Sequence, residues 1–404
     1  MKIELFKMER TQCLFENEVE FNLSESGVLP LRLGELLGDG RERAALDALA
    51  LKYPHSTGRP RLRANIAAFH GGADPECVLV TNGGSEANYT ALWTLVERSD
   101  RVAFMLPNYL QGFGLARAYG RQVDPYRLLM ERDAKGAWRW RLDRESLRRA
   151  VRRNTRVIVV TNPNNPSGAV LAEDEMEAIL AEARRVGAWI VADEIYRGAE
   201  LSGPRTPTFW GRHPKVVVTG GLSKAFALPG LRCGWILAPR ALVARLCRHH
   251  DYLTLTPSAL SDHLADLVME PRRRERVLAR TREILARNLP VLEAWIASHA
   301  DVFDYARPVA GAIATLRYRL PIASEAFMRR LLRERSVLVT PGGHFGIGRY
   351  LRIGFGYDVD HLRKGLERID PVIEELRRLP DEETGSGKRR RRAQRAAGER
   401  SSSG

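Results

Sequence analysis

The sequence predicts an α/β protein with a large domain, whose mostly parallel sheet lies between helices, and a smaller α+β domain. Three observations carry this expectation. Short apolar runs alternate with helical stretches as far as about residue 240, the pattern of strands covered on both faces by crossover helices. From about Pro271 the alternation gives way to one long Arg-rich helical stretch and shorter, spaced strands. The length of 404 residues and hydrophobic content of 44% suit two cores of ordinary globular composition.

In chain order, residues 1–45 read as an arm, with a loop at 22–30, that joins the small domain. The large domain is expected over 46–270. It opens with a helix at 60–70, whose apolar positions Leu62, Ile66 and Phe69 keep helical spacing and which Gly71-Gly72 stops. Strands follow at 78–81, 102–106, 157–161, 189–192, 216–219 and 235–238, with helices at 86–97, 145–152 and 173–186. The small domain, 271–380, is expected to contain a helix at 272–298, strands near 313–318, 337–339 and 350–355, and a helix at 359–379. No internal repeat is present.

In such sheets ligands bind beyond the carboxyl ends of the strands, and those ends carry the suggestive residues. Thr81-Asn82-Gly83-Gly84-Ser85-Glu86 opens a helix. Free N–H groups and the helix dipole make an anion site there, although a serine cap with turn glycines explains the same residues. The run is not GxGxxG, so it lends no support to a dinucleotide fold. The second strand end is Pro107-Asn108-Tyr109, where a tyrosine is ordinarily packing. The third, Asn162-Pro163-Asn164-Asn165-Pro166-Ser167-Gly168, is rich in residues that favour tight bends. The fourth is Asp193-Glu194-Ile195-Tyr196. A carboxylate ending an apolar strand is costly unless paired; a helix cap for Asp193 and core packing for Tyr196 are the plain alternatives.

The fifth strand end is Gly220-Gly221-Leu222-Ser223-Lys224. Lys224 is one of only eight lysines among 64 basic residues, and small residues box it in. An amine partly desolvated beside a second cation, here Arg232, is expected to have a lowered pKa and to attack carbonyl carbon. A surface lysine at a strand end is the plain alternative. Farther along, Arg352 sits inside the apolar run Leu351 to Phe355, where a structural role is hard to find.

The run Ser223-Lys224, then Leu228-Pro229-Gly230-Leu231-Arg232 and Gly234-Trp235, resembles the cofactor-lysine segment of class I/II aminotransferases. These are fold type I, pyridoxal-phosphate-dependent enzymes of the aspartate aminotransferase superfamily. The resemblance spans about residues 20–378 through dispersed motifs in the family's order. It implies that Lys224 carries the aldehyde of pyridoxal 5'-phosphate and, once released, moves the substrate Cα proton. Gly84, Ser85, Ser223 and Arg232 would hold the phosphate, and Tyr109 would stack on the ring. Asn165, in an N-P-S-G match, and Tyr196 would bond the ring hydroxyl, and Asp193 the ring nitrogen. Tyr53, in Tyr53-Pro54-His55-Ser56-Thr57-Gly58, matches a residue that reaches the neighbouring subunit's phosphate, which implies a homodimer with shared sites. Arg352 would clamp the substrate α-carboxylate, with Asn165 and Gly27 beside it. The chain departs from the family at Gly221, where many members place a phosphate-binding serine. The loop Ser24-Glu25-Ser26-Gly27-Val28 is loosely similar to that of capreomycidine synthase-type members, which act on arginine derivatives. Glu25 itself is read as facing solvent.

The resemblance therefore implies an aminotransferase acting on an L-α-amino acid with a 2-oxo acid acceptor. The alternatives are a lyase or cyclase using the same cofactor, and, from another class, a cofactor-binding regulator. The chain starts too near its catalytic-type fold to hold a helix-turn-helix module, which weighs against the regulator. The net charge of +15 suggests nucleic acid at first sight. Residues 388–404, however, hold seven basic residues and one acidic without apolar periodicity, so 381–404 reads as a disordered, solvated tail and nucleic-acid binding is disfavoured. No apolar run approaches a membrane span, and the first residues lack a signal-peptide core. Cys13, Cys77, Cys233 and Cys247 lie far apart with no CxxC pair, which argues against zinc and disulfides and for a reducing cytoplasm.

Overall fold

The computed structural model describes residues 3–38 and 40–379; the expected basic tail at 381–404 lies outside the described residues. In chain order the strands are β1 (Phe21–Asn22), β2 (Val78–Thr81), β3 (Arg101–Leu106), β4 (Gln122–Arg132), β5 (Trp138–Leu142), β6 (Thr155–Thr161) and β7 (Trp189–Asp193). They continue with β8 (Val216–Gly221), β9 (Gly234–Leu237), β10 (Phe303–Tyr305), β11 (Ile313–Tyr318), β12 (Val337–Leu338), β13 (Thr340–Pro341) and β14 (Tyr350–Gly354). The large sheet has the order β2-β9-β8-β7-β6-β3-β4-β5. From β8 through β4 all neighbours are parallel. β9 runs antiparallel to β2 and β8, and β5 antiparallel to β4.

Why continuous apolar runs form these strands follows from the period of two. Val78, Val80, Ala103, Met105, Ile158, Val160, Val216 and Val218 face one core. Leu79, Phe104, Val157, Val159, Val191 and Val217 face the other, against Ala87, Ala91, Leu92 and Leu95 of the helix Gly84–Leu95. Both faces are dry, so neither needs polar positions.

Helix Glu173–Val186 forms over the expected residues. Its first turn is acidic, its last turn carries Arg184 and Arg185, and Gly187 ends it in the left-handed region at φ 69°. The sequence reading missed the β4–β5 hairpin and helices at Gln111–Tyr119, Arg240–His250, Ala259–Val268 and Ser324–Arg335. It also read 1–45 as an arm, whereas Lys7–Phe15 is helical.

The second sheet is antiparallel, in the order β10-β11-β14-β13. β1 pairs in parallel with β12, so the N-terminal segment packs beside this smaller sheet. The loop after β1 is drawn inward by two backbone bonds, from Gly354 N–H to Leu23 O at 2.7 Å and from Leu29 N–H to Gly356 O at 2.8 Å. A Cβ at Gly354 would collide with the Glu25 carbonyl, and one at Gly356 would crowd the Gly27 carbonyl. The two glycines after Arg352 thus let residues 25–27 reach the large sheet.

Candidate active site

The carboxyl ends of β2, β3, β6, β7 and β8 open onto one cavity of about 740 Å³. Its wall includes Gly84, Ser85, Tyr109, Asn165, Asp193, Tyr196, Ser223, Lys224 and Arg232. Gly27 and Arg352 sit just behind it. A Cβ on Gly27 would lie 3.4 Å from the Ser223 carbonyl, and Arg352 Nη1 donates to Asn165 Oδ1 at 2.9 Å. Tyr53 is apart from the others, 79% exposed on the surface.

At one end, Gly84 and Ser85 begin a helix whose N-cap Gly83 has φ 100°. The backbone is packed tightly here. A Cβ at Gly234 would lie 2.5 Å from Gly84 N, and one at Gly221 would lie 3.0 Å from the Cys233 carbonyl. That gives the departure at Gly221 a structural reason, since a serine would press on the neighbouring strand. Arg232 stands over the same turn, with its Nη2 2.6 Å from where a Cβ on Gly83 would be. Free helix N–H groups, glycines and a guanidinium form a phosphate-sized anion cradle.

At the other end, Asp193 continues β7. Its Oδ1 accepts the Ile195 N–H at 3.0 Å and its Oδ2 the Asn88 Nδ2–H at 2.9 Å. Both donors are neutral, and desolvation raises the Asp193 pKa against them, so the carboxylate has an unfilled need for a cation. The Tyr196 hydroxyl is buried and makes no close hydrogen bond among the described residues, with the Ser26 side chain near enough to act on it as a donor. Burial raises its pKa, partly offset by Lys224 and Arg352.

Lys224 Nζ lies 3.2 Å from Glu25 Oε1. Here two expectations are corrected. Glu25, read as facing solvent, lines the cavity and is held at a pKa of about 2, foremost by Lys224 and against its own burial. Lys224, expected to have a lowered pKa, has a raised one. Burial pulls it down, but Glu25 and then Tyr196 outweigh that pull, and the cation whose charge opposes them is Arg352 rather than Arg232. The helix Lys7–Phe15 and its two capping residues supply a wall that the sequence expectation lacks, with Phe6, Glu9, Gln12 and Glu16 on the cavity. Phe6 meets the Tyr109 ring edge-on at 4.9 Å, and the Tyr109 hydroxyl donates to Glu9 at 2.8 Å. The spacing 6, 9, 12, 16 follows one helix face and was the available signal.

Arg352 is buried at the centre of the small sheet, opposite Thr315 on β11 and Thr340 on β13. Its Nη2 donates both to the Ser24 carbonyl and to Thr340 Oγ1, while Nε has no partner among the described residues.

An anion cradle, a carboxylate lacking a cation, a buried phenol and a lysine thus gather at one cavity on a fold type I scaffold, the scaffold of pyridoxal-phosphate enzymes. The chain belongs to the aminotransferase class I and II family, whose sequence profile matches residues 30–369. It is 33% identical over 367 residues to a capreomycidine synthase of Streptomyces vinaceus, covering 88% of this chain and 90% of that one. Among solved structures it is similar to a PLP-dependent aminotransferase from Streptococcus suis (TM-score 0.85, 29% identity, 94% of this chain and 100% of that one). It is also similar to the PLP-dependent cyclase OrfR (TM-score 0.82, 27% identity, 93% and 98%). No helix among the described residues is long and apolar enough to cross a membrane.

The Glu25–Lys224 pair has a testable consequence. Only a neutral amine attacks the cofactor aldehyde. Glu25→Gln removes the largest upward influence on Lys224, so its amine deprotonates at lower pH. Attachment of pyridoxal phosphate to the cofactor-free variant at neutral pH is expected to be several-fold faster than in wild type, followed by stopped-flow absorbance. An unchanged or slower rate would show that Glu25 does not hold the proton on Lys224.

Proposed function

We propose that this chain is an aminotransferase that moves the amino group of an L-α-amino acid to a 2-oxo acid. The observation that carries the reading is the convergence on one cavity of Lys224, Asp193 and Asn165, with Arg352 behind the wall and bonded to Asn165. In this reading Gly84, Ser85, Ser223 and Arg232 hold the cofactor phosphate. Tyr109 covers the ring, Asn165 and Tyr196 bond its hydroxyl, and Asp193 pairs with its nitrogen. When bound, pyridoxal phosphate supplies the electron sink for the pair left at the substrate Cα. The protein's own share is to hold and to move protons. Arg352 grips the α-carboxylate and so sets which Cα bond stands ready to break. Lys224 Nζ takes the Cα proton and returns it as general base and acid. The helix Lys7–Phe15 covers the mouth and limits water.

The cavity also favours a second reading, a lyase or cyclase acting on an amino acid with a cationic side chain. Glu9, Glu16 and Glu25 all face the space. Burial raises the Glu16 pKa, and Glu25 and Glu9 push it the same way, so a cation entering there relieves three carboxylates at once. Glu25 also loses its partner once the cofactor engages the Lys224 amine. The similarity to capreomycidine synthase and to OrfR adds weight. A product screen over the twenty amino acids and arginine derivatives separates the two. Transamination needs a 2-oxo acid and, in a single turnover without one, leaves the cofactor in its amine form. Elimination or cyclisation regenerates the aldehyde and needs no acceptor. If the best substrate never yields the amine form, the aminotransferase reading falls.

The working unit in this reading is a homodimer. Leu51, Tyr53, Tyr252 and Leu255 are exposed large apolar side chains. They stand on two loops tied to the end of β2, by Val80 N–H to Thr57 O and by Asn82 to Thr254 and Thr256. Both loops flank the anion cradle, and a two-fold partner is the commonest way to cover such a patch. Sedimentation at assay concentration is expected to give a dimer, and Tyr53→Ala to weaken cofactor binding severalfold. A fully active monomer would refute it.

A further inference from the structure

We propose that Asn88 is a positioning residue that fixes the plane of the Asp193 carboxylate toward the cofactor's ring nitrogen, with Thr219 fixing Asn88 in turn. The proposal rests on the assignment of Asp193 to that nitrogen. Asn88 lies three residues beyond Ser85 on the helix Gly84–Leu95, hence on the same face. One helix therefore serves both ends of the cavity, with the anion cradle at its first turn and the Asp193 contact one turn on.

The hydrogen bonds have a forced direction. A carboxylate only accepts, so the Asn88 amide must turn its Nδ2 to Asp193 Oδ2, at 2.9 Å. Its Oδ1 then faces Thr219 Oγ1, at 2.6 Å, and the threonine hydroxyl must donate. Thr219 on β8 is the strand neighbour of Asp193 on β7, in register with it. The chain of donors thus starts and ends on adjacent strands and leaves the amide no freedom to flip.

The chemistry of the donor matters as much as its place. An arginine or protonated histidine at this position would neutralise Asp193 and compete with the ring nitrogen. An amide holds one oxygen while leaving the full negative charge for the ligand. It also opposes the burial that pushes the Asp193 pKa up, which the neighbouring Glu194 charge reinforces.

The test compares equilibrium binding of pyridoxal phosphate with that of 1-deazapyridoxal phosphate, which has carbon in place of the ring nitrogen. Wild type is expected to prefer the natural cofactor by at least about tenfold, the scale of one charge-assisted hydrogen bond. Asn88→Ala is expected to lose most of that preference by weakening the natural cofactor alone, and Thr219→Val to lose a smaller part in the same way. Parallel weakening of both ligands in Asn88→Ala would mean a general packing role, and an unchanged preference would mean no role; either overturns the proposal. If wild type itself shows no preference, the assignment of Asp193 fails, an outcome distinct from failure at Asn88.

Discussion

Lys224→Ala is expected to lower turnover by at least about a thousandfold, roughly 4 kcal/mol of transition-state stabilisation, while the protein still binds the cofactor. The size follows from two roles meeting in one atom. In the proposed reading Lys224 Nζ is the amine that attaches the aldehyde and also the base and acid at the substrate Cα. Neither role has an evident understudy, because the side chains that act most strongly on its amine are a carboxylate, Glu25, and a phenol, Tyr196. Cofactor binding is expected to survive because the anion cradle, Asp193 and Tyr196 do not depend on the lysine. The check is steady-state turnover of the purified variant beside its cofactor content. A variant that retains full turnover would mean that the proton is moved elsewhere.

Arg352→Lys is expected to lower kcat/KM by at least about tenfold, roughly 1.4 kcal/mol, with cofactor affinity unchanged. The guanidinium is buried, fixed between two threonines across the strands, and aimed at Asn165. A planar fork there grips a carboxylate with defined geometry, whereas an ammonium offers a point charge without orientation. The loss should therefore include kcat as well as KM, since a loosely held α-carboxylate also misaligns the bond that breaks. A variant as fast as wild type would place the carboxylate clamp on another residue.

Much of the site was legible because a parallel sheet converts sequence order into spatial convergence. Each parallel run ends at the same edge, so Ser85, Tyr109, Asn165, Asp193 and Lys224, far apart in the chain, meet without any long-range rule beyond the fold class. Arg352 was legible as a charge inside an apolar strand. The β4–β5 hairpin was not, because its strands alternate instead of running apolar. Tyr126, Leu128 and Met130 are buried while Arg127, Leu129 and Glu131 are exposed, so no continuous apolar run marks the strand. Nor was the pKa of Lys224 legible. It is set by Glu25, distant in sequence, and the approach of that loop depends on the bare backbones of Gly354 and Gly356. A lysine's immediate neighbours report its packing, not its charge partner. The helix Lys7–Phe15 was missed for a related reason. Its polar cavity face dilutes the apolar periodicity that marks a helix against a dry core.

Borohydride reduction of the loaded protein, followed by peptide mapping by mass spectrometry, tests most directly whether Lys224 is the amine that carries pyridoxal phosphate. The expected result is loss of the visible absorption band and a single reduced pyridoxyl-phosphate adduct on Lys224. An adduct on another lysine, or active, cofactor-loaded protein with no adduct on Lys224, would contradict it.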